Sequence, residues 1–175
     1  SQLRVYPSGN LAAHVTGFVG AREPESSGAP VIGLEGKHGI EMMFDSQLEG
    51  VRGWSETETD RSRREVVAYR EYNVKPRDGM NVVLTLDANV QYIAEKALEA
   101  LCEKHTPASA CVVVVNPQTG AILALANRPT FNPNQPGDSN AANRRNRVIT
   151  DSFEPGSTFK IVAVSGALNE SAVRL

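Results

Sequence analysis

The sequence predicts an α+β protein, on the strength of three stretches. Residues 54–87 contain runs rich in β-branched and aromatic residues, which favour strands, and turn-forming stretches separate these runs. From Asp87 onward, apolar residues recur at the spacing of an amphipathic helix. Residues 108–126 consist of two apolar runs joined by Asn-Pro-Gln-Thr-Gly, a pattern typical of a β-hairpin. Helices and strands are therefore expected in separate stretches of one chain.

The first third of the chain predicts a turn, a strand-like run, a loop and one helix. Residues 4–20 combine a Pro-Ser-Gly turn with an apolar, β-like run. Residues 21–31 are rich in Pro, Ser and Gly and are expected to be an exposed loop. Ile40, Phe44 and Leu48 then recur every four residues, which predicts one helix with a single apolar face, closed by glycines.

The strand-rich region predicts strands at residues 65–74 and 80–87. The helix that follows has Asp87 as its N-cap and is expected to end near Lys104 and His105. Its apolar face is predicted from six positions at helical spacing: Val90, Ile93, Ala94, Ala97, Leu98 and Leu101.

Four consecutive valines, Val112–Val115, predict that the first strand of the hairpin is a central strand, buried on both faces. A long irregular segment follows over residues 127–147. The last helix is expected to begin around Pro155–Ser157. Because a two-stranded hairpin is marginally stable alone, residues 88–175 are not expected to form a closed, independently stable domain.

The 175 residues have the composition of a soluble globular protein, 41% hydrophobic and 22% charged. The net charge of −2 gives no electrostatic basis for binding nucleic acid or an anionic membrane. The sequence has neither an apolar run long enough to span a bilayer nor a basic-then-apolar leader, so an export signal is expected outside these residues. Cys102 and Cys111 lack a metal-binding spacing, which leaves open two buried free thiols or a disulfide.

Ser157 and Lys160 form a Ser-x-x-Lys motif at the start of the last predicted helix. Residues three apart lie on the same face of a helix, so the hydroxyl and the amine can meet. In a dry site a lysine favours its neutral form, and the amine can then accept the serine proton. The helix N-terminus would supply free N–H groups for a developing oxyanion. The alternative is a surface helix with a capping serine and a solvated lysine.

The other polar residues are expected to be structural. The sequence contains no nucleophile elbow, H-E-x-x-H or phosphate-binding loop, so it predicts no metal and no cofactor. The histidines are expected at the surface or as helix caps: His14, His38 and His105. Three arginines are expected in a solvated loop with ion pairs to Asp151 or Glu154: Arg144, Arg145 and Arg147. Asn132 and Asn134 are expected to form turns.

Along nearly its whole length the sequence resembles the class B penicillin-binding proteins, the bacterial D,D-transpeptidases that cross-link peptidoglycan. Five segments carry the resemblance, in the order of the family: residues 4–20, 36–53, 82–98, 112–134 and 146–160. The first three resemble the patterns R-x-Y-P-x-G…A…G-x-x-G, G-x-x-G-I-E…L-x-G…G and L-T-L-D…Q…A-E-x-A-L. The fourth resembles the hairpin and loop that open the transpeptidase domain, and the fifth resembles its active-site segment.

This resemblance implies that the chain consists of parts of two domains. Residues 1–87 would form part of the non-catalytic pedestal, or dimerisation, domain, and residues 88–175 the first helix, the hairpin and the nucleophile helix of the transpeptidase domain. Ser157 would be acylated by the penultimate D-Ala of a pentapeptide stem or by a β-lactam, and Lys160 would take its proton. The Ser157 N–H would supply half of the oxyanion hole. The Ser-x-Asn and Lys-Thr-Gly motifs of the family do not follow in these residues, so this chain alone is expected to be inactive.

The resemblance also implies partners and a location. The substrates would be peptidoglycan stems ending in D-Ala-D-Ala, and the partners a membrane glycosyltransferase and other cell-division proteins, with no nucleic acid. Glu154–Pro155 before Gly-Ser resembles the division-type members. The protein would act on the outer face of the cytoplasmic membrane, with a transmembrane anchor expected before Ser1. In the family, later strands complete the sheet of Val112–Val115, so without them the chain is expected to self-associate or to be poorly ordered.

Two other functions are left open. A β-lactamase or β-lactam sensor acylated on serine would also carry Ser-Thr-Phe-Lys, although simple β-lactamases lack the segments that precede residue 87. The chain could also act as a structural or interaction module, because the two later motifs are missing from it.

Overall fold

The structure, a computed structural model, describes residues 4–22, 33–59 and 65–173. The helices there are α1 (Ala13–Thr16), α2 (Gly39–Met43), α3 (Asp45–Leu48), α4 (Ala88–His105), α5 (Ala141–Arg144), α6 (Arg147–Thr150) and α7 (Lys160–Asn169). The strands are β1 (Val19–Ala21), β2 (Leu34–Gly36), β3 (Trp54–Thr59), β4 (Glu65–Val74), β5 (Ala110–Val115) and β6 (Ile122–Arg128). They pair antiparallel in twos, β1 with β2, β3 with β4 and β5 with β6. This arrangement confirms the predicted α+β class.

The helix predicted from Ile40, Phe44 and Leu48 is two short helices rather than one. α2 and α3 meet at Phe44, where a φ of −113° and a ψ of 22° break the helix. All three side chains are half-buried, so the predicted apolar face is confirmed. The loop predicted over residues 21–31 lies largely outside the described residues.

A glycine allows α2 to lie against the end of α1. Gly17 has a φ of +74°, and a Cβ on it would overlap the carbonyl oxygen of His38, the residue before α2. Because any other residue would be strained in this conformation and would also collide with that backbone, the approach of the two helices requires glycine.

One of the two predicted strands is present and the other is not. β4 runs from Glu65 to Val74, as predicted. Residues 80–87 are irregular, and Val83 is 93% exposed. β-propensity favours a strand only where a neighbour supplies a pleated, half-buried surface, and Val83 has no such neighbour among the described residues. Three hydrogen bonds hold the segment without making it a strand: the Met80 N–H donates to the Gln47 carbonyl at 2.8 Å, the Thr85 hydroxyl to the Ile122 carbonyl at 2.7 Å, and the Asp87 N–H to the Leu123 carbonyl at 2.9 Å.

α4 begins as predicted but turns a different face to the sheet. The Asp87 carboxylate accepts the N–H groups of Asn89 and Val90 at 2.8 and 3.0 Å, which confirms the N-cap. The predicted face is only partly correct, because Ile93 is 66% exposed and Leu101 is also exposed. The buried residues are instead Gln91, Ala94, Glu95 and Leu98.

Two polar side chains are buried on α4 because they pair with β6 and with each other. The Gln91 side chain accepts the Leu125 N–H at 2.8 Å and donates to the Leu125 carbonyl at 2.9 Å. It also donates to the Glu95 carboxylate at 2.8 Å. Since buried polar groups are tolerated when they are hydrogen-bonded, this pairing outweighs the apolar pattern of the helix.

The β5–β6 hairpin is present, but β5 is not a central strand in the part of the chain described. It pairs with β6 along one edge, from Ala110 opposite Arg128 to Val115 opposite Ile122. Burial alternates along β5, and Val113 and Val115 lie on its exposed face. The prediction of burial on both faces is therefore wrong for the described residues, since no other element there covers this face.

The two cysteines are free thiols in different environments. Cys102 on α4 is half-buried, and Cys111 on β5 is exposed. The disulfide alternative is therefore wrong, and the expectation of two buried thiols fails at Cys111, because that residue lies on the uncovered face of the hairpin.

A small apolar core joins the two predicted parts of the chain. Ala13 and Phe18, from the first part, pack with Phe131 from the second, and Tyr6 packs against this cluster. The ring centroids of Phe18 and Phe131 are 5.8 Å apart, in an edge-to-face arrangement. Residues near the N-terminus therefore pack directly against the loop that follows β6.

Candidate active-site segment

The predicted nucleophile lies on a short 3₁₀ turn that leads into α7. The turn runs from Gly156 to Phe159, and the Thr158 N–H donates to the Pro155 carbonyl at 3.2 Å. Residues three apart are eclipsed in a 3₁₀ turn, so the backbone directs Ser157 and Lys160 to the same side. The helix start predicted around Pro155–Ser157 is confirmed.

The structure does not bring the two side chains into contact. Both Ser157 and Lys160 are exposed, and neither side chain makes a hydrogen bond to another described residue. The Ser157 N–H likewise has no backbone acceptor within the described ranges. The described residues therefore supply the position of the motif but not the dry surroundings that the proton transfer requires. The catalytic roles of the pair remain predictions.

The helix that carries the motif is apolar around its circumference. Phe159, Ile161, Val162 and Val164 are all more than half exposed. A helix with apolar residues on every side is normally buried inside a larger domain. None of the other described residues covers α7, so its surface is available for packing against further structure.

Asp151 makes several polar contacts just before the Ser157–Lys160 motif. It forms ion pairs with Arg145 at 2.8 Å and Arg147 at 3.3 Å, and it accepts the Thr150 hydroxyl at 2.8 Å. The Thr150 hydrogen bond, followed by the charge of Arg145, holds the pKa of Asp151 below its usual value. The predicted structural ion pairs are confirmed for these two arginines. Because exposed ion pairs contribute little stability, their main effect is to orient the segment.

Arg144 departs from the expectation of a solvated loop residue. Its guanidinium donates to the carbonyls of Pro136 and Ser139 at 2.6 and 2.8 Å. It also lies 5.8 Å from the centre of the Phe18 ring. Arg144 therefore holds together the loop after β6 and the N-terminal core, whereas the ion pairs of Asp151 among the described residues are with Arg145 and Arg147.

Asn134 forms the predicted turn and also joins two distant segments. Its N–H donates to the side chain of Asn132 at 3.0 Å, which confirms the turn. Its amide side chain accepts the Tyr6 N–H and donates to the Tyr6 carbonyl, each at 2.9 Å. The side chain thus pairs with the backbone of Tyr6 in the way a neighbouring strand would.

His14 is buried, so its predicted surface position is wrong. Its Nε2 lies 2.8 Å from the Asn143 carbonyl, and its ring packs edge-on against Phe131 at 5.2 Å. Burial is the largest effect on His14 and lowers its pKa. The apolar residues around it, Leu-Ala-Ala before and Val after, are the sequence signal for this burial. His38 and His105 are exposed, as predicted.

An open groove lies in the first part of the chain, away from the Ser157 motif. It has a volume of about 1130 Å³, and its lining includes Arg4, Glu41, Trp54 and Met80. Among the residues described, no group of three or more His, Cys, Asp or Glu side chains is placed to hold a metal ion. In the same ranges, none of the helices combines the length and apolar character needed to cross a bilayer.

Two protein-family models match the chain. The penicillin-binding protein dimerisation domain matches residues 1–84, and the penicillin-binding protein transpeptidase domain matches residues 110–175. The two matched ranges follow one another in the order that the resemblance implied.

Known proteins are similar over nearly the whole chain. The probable peptidoglycan D,D-transpeptidase PenA of Neisseria meningitidis serogroup A is 36% identical over 167 residues, which cover 95% of this chain and 27% of PenA. The peptidoglycan D,D-transpeptidase FtsI of Escherichia coli K12 is 33% identical over 171 residues, covering 98% of this chain and 27% of FtsI. The crystal structure of penicillin-binding protein 2X from Streptococcus thermophilus has a TM-score of 0.75 and 30% identity, covering 97% of this chain and 25% of that one.

The chain spans about a quarter of the length of these relatives. Within that quarter it carries both a dimerisation-domain region and a transpeptidase-domain region in sequence. The chain therefore belongs to the class B penicillin-binding proteins.

Proposed function

We propose that this chain is part of a peptidoglycan D,D-transpeptidase in which Ser157 is the nucleophile. The observation that carries the proposal is the placement of Ser157 and Lys160 on one side of the turn that opens α7. Relatives that align with nearly the whole chain are named as D,D-transpeptidases. The Ser-x-x-Lys motif is a signature of penicillin-binding proteins.

The reaction would proceed through an ester on Ser157. The serine oxygen attacks the carbonyl carbon of the penultimate D-Ala while Lys160 accepts the hydroxyl proton. Lys160 then passes this proton to the nitrogen of the terminal D-Ala, the C–N bond breaks, and D-Ala leaves as the amine. The amine of a second stem then attacks the ester, forms the cross-linking amide and releases the serine. The Ser157 N–H, which has no backbone acceptor among the described residues, would donate to the oxyanion. A β-lactam would acylate the same oxygen by opening of its ring.

The remaining parts of the site would come from elsewhere in the transpeptidase domain. The Ser-x-Asn and Lys-Thr-Gly motifs do not follow Ser157 in these residues. We propose that the structure bearing them also packs against the apolar surface of α7 and so removes water from Lys160. Without it, a second oxyanion donor is lacking, which alone lowers the rate by about 10²–10³. These residues alone would therefore be inactive.

The location and the partners follow from the family and belong to the same proposal. The enzyme would act on the outer face of the cytoplasmic membrane, held by an anchor outside these residues. It would work beside a membrane glycosyltransferase that makes the glycan strands. Glu154–Pro155 before Gly156 resembles division-type members, so septal cross-linking is the proposed process.

One observation favours a second function for this part of the chain by itself. Ser157 is exposed and its surroundings are incomplete among the described residues, which suits a structural or interaction module. A β-lactamase is less well supported, because residues 1–84 match a dimerisation domain that simple β-lactamases lack.

Labelling of the intact protein with a fluorescent penicillin tests the assignment. We expect the label on the tryptic peptide that contains Ser157, complete loss of label in Ser157→Ala, and a loss of at least tenfold in the labelling rate of Lys160→Ala. Ser152→Ala is the matched control, because Ser152 is an exposed serine in the same segment and should label normally. Label on another residue, or undiminished labelling of Lys160→Ala, would contradict the proposed roles.

A further inference from the structure

The contacts that the N-terminal residues make with α4 and with the loops after β6 point to a positioning role that is separate from the chemistry at Ser157. We propose that His14 is a positioning residue, which docks α5 against the N-terminal core, fixes the path of the chain into Ser157, and releases that dock in mild acid. The proposal rests on the proposed transpeptidase function. Three pairs make up this dock: Tyr6 with Asn134, Ala12 with Glu95, and His14 with Asn143.

All three pairs join a backbone group on one segment to a side chain on another. The Asn134 amide pairs with both the N–H and the carbonyl of Tyr6. The Glu95 carboxylate accepts the Ala12 N–H at 2.8 Å. His14 reaches the Asn143 carbonyl, also at 2.8 Å. Because each bond uses a backbone group, the dock fixes the position of the chain itself and not only of a side chain.

His14 is the member of the dock that reaches α5. A carbonyl oxygen can only accept, so the Nε2 of His14 carries the proton and donates to Asn143. The neutral ring therefore has its second nitrogen unprotonated. His14 is 7% exposed, and its edge-on neighbour Phe131 is 4% exposed. A second proton on the ring would thus place a charge in an aromatic, largely dry environment.

A short run of contacts leads from Asn143 to the motif. Asn146, just after α5, accepts the side-chain N–H of Asn127 at 3.1 Å, and Asn127 is buried on β6. α6 follows and ends at Thr150, and the next residue, Asp151, forms ion pairs with Arg145 and Arg147. The exposed turn of Ser157 begins at Gly156, after four exposed residues. If α5 moves away from His14, the start of this run moves with it.

The charges that face His14 come from three elements. Glu95 on α4 favours the protonated ring, whereas Arg128 on β6 and Arg147 on α6 oppose it. Burial is the largest effect and lowers the pKa of His14, and the Asn143 carbonyl only partly offsets it. An undocked, solvated His14 would have a pKa of about 6.5. As the pH falls below that value, His14 of the undocked state takes up a proton before His14 of the docked state does. The docked state therefore loses stability relative to the undocked state until the pH reaches the lower pKa that His14 has when it is docked.

The test uses the intact protein and three variants. His14→Gln keeps an N–H donor for Asn143 but does not titrate, and His14→Ala removes the donor. His105→Gln is the matched control, because His105 is exposed at the end of α4. The acylation rate by a fluorescent penicillin is measured from pH 5 to 8, with the saturating rate separated from the half-saturating concentration. Hydrogen exchange of residues 141–151 is measured at the same pH values, each variant against wild type.

Below pH 6.5, we expect the ratio of the wild-type saturating rate to the His14→Gln saturating rate to decrease by up to about tenfold per pH unit. His14→Ala should lower the saturating rate several-fold at every pH, with a smaller change in the half-saturating concentration. Exchange over residues 141–151 should be faster in His14→Ala at every pH, and faster in wild type than in His14→Gln below pH 6.5. His105→Gln should match wild type throughout.

The outcomes separate this inference from the proposed function. If wild type is not acylated at any pH, the transpeptidase proposal and with it the positioning role fail, whatever exchange shows. If wild type is acylated but exchange in His14→Ala is unchanged, the dock is wrong. If exchange changes while acylation does not, the dock exists but has no role in positioning Ser157. A rate ratio that does not depend on pH would overturn the acid release.

Discussion

Replacing Gln91 by alanine should loosen the hairpin far more than an average substitution does. The Gln91 side chain is 1% exposed and pairs with both the N–H and the carbonyl of Leu125. Removal leaves those two buried groups without a partner, at a cost of about 1–3 kcal/mol each. The expected loss is therefore at least about 2 kcal/mol, which corresponds to a roughly 30-fold larger equilibrium constant for local opening.

Native-state hydrogen exchange of the intact protein is the suitable assay, because it reports local opening where a single unfolding free energy is ill-defined. The amides to follow are those of β6 that pair with β5, since the Leu125 N–H itself loses its partner. Gln91→Glu should be at least as damaging, because a carboxylate cannot donate to the Leu125 carbonyl and lies beside Glu95. Gln118→Ala, in the exposed hairpin turn, is the control. Exchange of these amides in Gln91→Ala within threefold of wild type would refute this reasoning.

Two further predictions concern the ends of helices. Asp87→Ala should weaken the first turn of α4 by about 1 kcal/mol, because it removes the acceptor for the Asn89 and Val90 N–H groups. Hydrogen exchange should then be faster in that turn and unchanged elsewhere in α4. Unchanged exchange in the turn would contradict the role of Asp87 as the N-cap. The pKa of Asp151 lies below its usual value, so its contacts with Arg145 and Arg147 should persist from pH 7 to pH 5 and be lost only as the pH falls through that lowered pKa. Titration of the Asp151 carboxyl carbon by NMR measures this, and a midpoint at or above the usual aspartate value would contradict it.

The parts of the fold that depend on local chemistry were predictable from sequence. β4 and the α4 N-cap follow from strand propensity and from an aspartate before a helical pattern, and the structure has both where they were expected. The buried face of α4 was not predictable in this way. Gln91 and Glu95 are buried because Gln91 pairs with the backbone of Leu125, far along the chain, and periodicity carries no information on such a partner.

The candidate site also has a part that was predictable from the sequence and a part that was not. The Ser157–Lys160 spacing identifies the motif, and the turn that holds it is present. What surrounds the motif depends on packing, which a local pattern does not encode. His14 shows this most clearly, because two of its contacts in the buried site, Asn143 and Phe131, are both distant in sequence. Its apolar neighbours in sequence are compatible with burial, but they do not identify these two partners.

The pairing of Gln91 with Leu125 also determines the side on which the hairpin can grow. Along the outer edge of β6, the Asp87 N–H occupies the Leu123 carbonyl and Gln91 occupies both polar groups of Leu125. That edge is closed to an added strand, as though a short strand were already present. The β5 edge has no such cover among the described residues. Any strand that extends this sheet, whether from the same protein or from a second copy, must therefore join at β5, and growth of the sheet has only one direction.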